Sequence, residues 1–178
     1  MAAYTADNYH VSATYTSQSN NWDAWHYYST SNLGGSSSTD FDNGNTDGWA
    51  VRAWVRPDET GTAIPSVSVG YDTLSFAGTG AANGYTEAEG YSVAFNWSDM
   101  FQADDTIGIA IGQPMRGTKN TTASTKDSSP FLWEAYYSFR PNDSIEVTPG
   151  IFGGSDVRGV SDKQDDIFGA VLSTTFRF

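Results

Sequence analysis

From Phe168 to Phe178 the chain alternates with a period of two. Phe168, Ala170, Leu172, Thr174, Phe176 and Phe178 fall on one side, and Gly169, Val171, Ser173, Thr175 and Arg177 on the other. Such alternation specifies an extended strand, because successive side chains of a strand point to opposite faces. The segment stops on an aromatic residue. A strand of this type is expected where a sheet closes as a membrane barrel, its last strand pairing with its first so that no edge remains.

The same pattern recurs upstream at regular intervals. Tyr9, Val11, Ala13 and Tyr15 share one side, as do Val67, Val69 and Tyr71, and Tyr91, Val93, Phe95 and Trp97. Val51, Ala53 and Val55 alternate with Arg52, Trp54 and Arg56, and Ile107, Ile109 and Ile111 with Gly108, Ala110 and Gly112. Two more segments, Phe131 to Phe139 and Ile145 to Ile151, behave alike, and a short strand is expected within Ala24 to Ser29. The spacing predicts an all-β chain of about eight antiparallel strands in a single domain over residues 1–178. Connections at Met100 to Asp104 and Pro141 to Asp143 are short, whereas 30–47, 74–87, 116–129 and 154–165 are long and polar. Short turns at one end and long loops at the other are the asymmetry of a transmembrane β-barrel.

Composition narrows the class. The chain has 178 residues, no cysteine, 9 basic and 21 acidic side chains, and a net charge of −12. That balance excludes neutralisation of a phosphate backbone, so nucleic acid is not an expected partner. Disulfides and cysteine-ligated metals are excluded outright. No run approaches the roughly 18 apolar residues of a membrane helix, which leaves barrel strands as the route into a membrane. Met1-Ala2-Ala3 is followed by polar residues rather than a signal-peptide core, so an envelope location implies an export segment already removed.

Five motifs occur in order in the second half: Trp97-Ser98-Asp99-Met100-Phe101, Ile107 to Pro114, Glu134-Ala135-Tyr136-Tyr137, Ile145 to Gly150, and Thr174 to Phe178. Over about residues 90–178 the chain resembles the cyanobacterial outer-membrane porins of the carbohydrate-selective porin family, which carry an S-layer homology domain and are also labelled iron-uptake porins. The resemblance implies an outer-membrane location and passive diffusion of sugars, ions or inorganic iron. It also implies a barrel of about sixteen strands, wide enough for an aqueous channel, often assembled as a trimer. This chain carries about half of those strands. It is therefore expected to form either a small closed barrel or half of a porin completed by a second copy or a complementary half.

On that reading the lumen face carries His10, Arg52, Arg56, Asp72, Glu134, Arg140, Glu146 and Arg177. Opposed charges there would orient polar solutes in a pore, or pair with one another in a filled interior. Trp54 and Tyr136 share the face and suit stacking on sugar rings or packing. Asp40, Asp42 and Asp47, in the oxygen-rich segment 40–48, have the spacing of a calcium loop but lack its final Glu. A solvated acidic loop is the alternative. No nucleophile or acid–base constellation accompanies His10 and His26, and adjacent acids such as Asp104-Asp105 point to opposite sides of an extended chain, so no enzymatic activity is expected. Two other functions stay open: a soluble jelly roll or sandwich that binds carbohydrate, and a non-conducting eight-stranded barrel that serves as an anchor.

Overall fold

The computed structural model describes residues 1–19, 45–76, 85–120, 129–157 and 166–177. The described residues form nine strands and no helix: β1 (Ala2–Thr5), β2 (Tyr9–Ser19), β3 (Asn45–Val55), β4 (Ser66–Phe76), β5 (Tyr85–Ser98), β6 (Thr106–Asn120), β7 (Phe131–Asn142), β8 (Ile145–Ser155) and β9 (Ile167–Phe176). They make one antiparallel sheet in which every strand pairs with its sequence neighbours, in the order β1 to β9. The count exceeds the expected eight because β1 is present. That four-residue strand pairs Ala2 with Ala13 and Tyr4 with Val11, and it is too short to show a period in the sequence. The short strand expected within Ala24 to Ser29 lies outside the described residues.

The sheet is not closed. Among the described residues β1 pairs with β2 alone and β9 with β8 alone. The small closed barrel is thereby corrected: this sheet has two edges. In an antiparallel series the first and ninth strands run the same way, so β1 and β9 could meet only as a parallel pair.

Register places the alternating residues as expected. One hydrogen-bonded row on the apolar face runs Val11, Ala53, Val69, Val93, Ile111 and Trp133 from β2 to β7. Tyrosine, tryptophan and phenylalanine stand above and below this aliphatic band. Tyr15 and Trp49 pack at 5.0 Å on one side of the band, still four residues inside the ends of β2 and β3, and Tyr137 and Phe139 stack at 5.3 Å on the other. The six-residue step from Tyr9 to Tyr15 spans roughly 20 Å at about 3.3 Å per residue, close to the roughly 25 Å height of a membrane barrel's apolar band.

No second layer covers this face. Among the described residues Val11, Val51, Val69, Ile109, Ile111 and Leu172 of this face are exposed, while only Leu74, Ala88 and Val157 are buried apolar residues. A sandwich would bury the alternating face between two sheets. Here there is one sheet and almost no core.

The opposite face is built from small side chains. Ser66, Ser68 and Gly70 on β4, Ser92, Ala94 and Asn96 on β5, and Gly108, Ala110 and Gly112 on β6 stand side by side in register. Some glycines receive a neighbour's ring. A Cβ on Gly108 would overlap the ring of Tyr136, which lies across β6 and donates a hydrogen bond to Asn96 Oδ1 at 2.9 Å. Gly153 does the same for Trp133 on the apolar face, where a Cβ would stand 2.7 Å from the indole. These ring-on-glycine contacts tie alternate strands together without a second layer. The β5–β6 pairing slips between Tyr91–Gln113 and Glu89–Arg116, across Pro114, which has no N–H to donate.

Gly108→Val is expected to lower unfolding stability by about 1–3 kcal/mol through overpacking against Tyr136. In a Tyr136→Ala background the same change should cost much less. Denaturant titration of the four proteins checks this, and an equal cost in both backgrounds contradicts it.

Candidate lumen face

The small-residue face holds a cavity of 560 Å³. Thr14 and Thr16 of β2 line it, and so does Leu132 of β7. Five strand spacings separate β2 from β7, about 24 Å along a flat sheet. A single cavity touching both strands fits a sheet that curls toward this face, taken here as the concave one. A second cavity of 380 Å³ lies between Ser92, Ala110, Gly112, Leu132, Glu134 and Phe152.

Register puts His10, Arg52, Asp72, Glu134, Arg140 and Glu146 on this concave face. Arg56 and Arg177 lie just beyond the ends of β3 and β9, a correction to their place in the strands, and both still turn to the same side. The Arg52 guanidinium donates to both oxygens of Asp72 at 2.8 Å. Both bonds come from one terminal nitrogen, while the other donates to the Val51 and Tyr71 carbonyls; the side chains remain 48% and 33% exposed, so water screens the pair. Glu146 accepts from Arg140 Nε at 3.1 Å and from an Arg177 terminal nitrogen at 2.9 Å. Arg140 also faces Asp104 at 3.5 Å. Arg56 donates to the Asp7 carbonyl at 2.9 Å and sits 5.4 Å from the Trp54 ring centre. On its other side Trp54 stacks with His10 at 6.1 Å, and the Thr5 hydroxyl shares a 2.7 Å hydrogen bond with His10 Nδ1.

The charges therefore gather in two groups, Arg52–Asp72 in mid-sheet and Arg140–Glu146–Arg177 at the end of the short turns. Glu134 belongs to neither. Trp54 and Tyr136 share the face but stand on β3 and β7, and Tyr136 already lies over Gly108.

The oxygen-rich segment divides. Asp40 and Asp42 lie outside the described residues. Asp47 is not in a loop but in β3, on the apolar side, where its carboxylate accepts from the Tyr15 hydroxyl at 2.7 Å. Among the described residues no three His, Cys, Asp or Glu side chains gather as a metal site.

Asp105 has a role that its pairing with Asp104 in sequence hides. It is 1% exposed and gathers the β5–β6 turn around its carboxylate. The backbone N–H groups of Met100, Phe101 and Gln102 donate to it at 2.8, 3.0 and 3.1 Å, and the Tyr137 hydroxyl at 3.0 Å. Asp99 and Asp104 take left-handed φ angles of 59° and 64°, which aspartate tolerates better than most residues. The signal available in the sequence was the spacing Asp99, Asp104, Asp105 between two apolar runs, a turn signature rather than a catalytic pair.

No protein-family model, curated protein or solved structure matches this chain.

Burial opposes ionisation of Asp105, but the hydrogen bonds from Phe101, Met100, Tyr137 and Gln102 outweigh it and hold the carboxyl below the ordinary aspartate value of 3.8. A depressed folded-state pKa adds stability above the unfolded value, and the gain is lost as pH falls through the folded one. Asp105→Asn is therefore expected to be less stable than the parent at pH 7, with the gap closing as pH drops below 3.8. Thermal melts at both ends of that range check this; a gap independent of pH contradicts it.

Proposed function

We propose that this sheet is wall of a porin-type barrel in the bacterial outer membrane, with its apolar face against lipid and its concave face on an aqueous lumen. Small polar solutes such as sugars, ions or inorganic iron pass by diffusion, with no catalytic step and no cofactor. One observation carries the reading: an apolar face runs across the whole sheet with no second layer over it, and the opposite face is small and polar across β4 to β6. In water an exposed apolar surface of this extent is a liability. In a bilayer it is the contact surface, and the aromatic rings at its two margins fall at headgroup level.

Two further features support the reading. The connections 20–44, 77–84, 121–130 and 156–166 leave one end of the sheet, and the shorter set, 6–8, 56–65, 99–105 and 143–144, lies at the other. The small side chains in the middle of the concave face leave space that a filled eight-stranded interior would not.

The two edges need partners, because unpaired backbone groups cannot face lipid. Antiparallel completion requires a strand against β9 that runs in the direction of β2 and β8. A complementary half with an odd number of strands supplies one. A second copy supplies one only if its β1 leaves and exposes the β2 edge. The soluble sandwich lacks its second sheet among the described residues, and the non-conducting small barrel lacks closure.

Folded into lipid vesicles and fused to a planar bilayer, the chain, alone or with its completing half, is expected to give stepwise conductance and to require detergent in solution. Ile109→Arg places a charge on the lipid face at a cost of about 2–4 kcal/mol near the midplane and should block insertion. Ala110→Arg, one residue on, should insert normally and reduce conductance. A protein that is monodisperse without detergent and never conducts overturns the reading.

A further inference from the structure

On the concave face most strand-borne charges are already compensated. Asp72 is held by Arg52 at 2.8 Å, and Glu146 by Arg140 and Arg177 at 3.1 and 2.9 Å. Glu134 differs. Its side chain is exposed, and among the described residues no cation or hydrogen-bond donor reaches it. Its cross-strand neighbours are Ala110 and Phe152. The residues two positions away on the same face are Leu132 and Tyr136, and the Tyr136 hydroxyl is committed to Asn96.

Distance keeps this charge uncompensated. Arg140 is six residues along β7, roughly 20 Å at about 3.3 Å per residue. That exceeds the roughly 8 Å over which physiological salt screens a charge. Arg52 is four strands away and already held on Asp72, and Arg56 lies beyond the end of β3, on the Asp7 carbonyl and against the Trp54 ring. Glu134 also borders the 380 Å³ cavity, whose walls include Leu132 and Phe152. Apolar walls concentrate the field of a single charge on the space in front of it.

We propose that Glu134 is the selectivity residue of the lumen: its carboxylate forms a weak site for small hydrated cations and makes the pore prefer cations to anions. Arg52 is offset by Asp72, and Arg140 and Arg177 by Glu146 and Asp104, so these clusters carry little net charge, and the preference is set locally where solutes pass Glu134. The inference depends on the porin reading, and its test separates the two.

The test is the reversal potential of the conducting protein in a planar bilayer under a potassium chloride gradient. The parent should favour potassium over chloride. Glu134→Gln should lower that ratio about two- to fivefold, the enrichment one unscreened charge produces at contact distance in water. Glu134→Asp should retain most of it. The chain has no cysteine, so Glu134→Cys gives a second route within one folded channel. A negatively charged thiol reagent should restore the potassium preference, and a positively charged one should reverse it. An unchanged ratio in Glu134→Gln, with no response of Glu134→Cys to either reagent, overturns the role of Glu134 and leaves the pore standing. Absence of conductance in the parent overturns the pore, and this inference with it.

Discussion

A single antiparallel sheet can satisfy the hydrogen bonds of its inner strands, but it cannot hide its own apolar face. Nine strands here pair in sequence order, and the Val, Ile and aromatic side chains they align remain exposed for want of a second layer. Fully burying one such side chain is worth about 1.5–3 kcal/mol, so a face of this size dominates what the chain can do. It must be covered by another sheet, by another protein or by lipid. The aliphatic band with aromatic margins fits lipid, whose hydrocarbon meets the valines and isoleucines while the rings reach the interface. On the proposed reading the other face is the wet one, in keeping with its serine, glycine and paired charges.

A wall one layer thick also needs stiffness without a core. Ring-on-glycine contacts provide it. Tyr136 lies across Gly108 to reach Asn96, and Trp133 lies over Gly153. At the turn end the buried Asp105 carboxylate binds three backbone N–H groups and Tyr137, which fixes where β5 becomes β6. The ion pairs Arg52–Asp72 and Arg140–Glu146–Arg177 link neighbouring strands on the wet side. These charges satisfy one another, whereas Glu134 has no such partner among the described residues.

Much of this was legible in the sequence, for a definite reason. Strand periodicity is strict, so segments such as Tyr91 to Trp97 and Ile107 to Ile111 assign both their strands and their faces. Since a face follows from parity, His10, Arg52, Asp72 and Glu134 could be placed together before any register was known. What parity cannot supply was missed. β1 is too short to show a period. β5 and β6 run to 14 and 15 residues, beyond the alternating core, because their extensions carry Gly, Pro and Glu that read as loop. Asp47 read as loop for the same reason and is in β3. The partners of each charge, the Asp105 turn and the rings over glycine depend on neighbours distant in the chain. The open edges follow from strand direction, which becomes visible once β1 is counted.

On the proposed reading odd-numbered residues from Tyr91 to Asn96 of β5 face lipid and even-numbered ones face water. Single cysteines placed in turn from Tyr91 to Asn96, spin-labelled in lipid vesicles, test this through collision with oxygen, which concentrates in the bilayer, and with a water-soluble nickel complex. Oxygen maxima are expected at positions 91, 93 and 95 and nickel maxima at 92, 94 and 96, out of phase along the strand. Equal access to the nickel complex at all six positions, or the reversed phase, would contradict it.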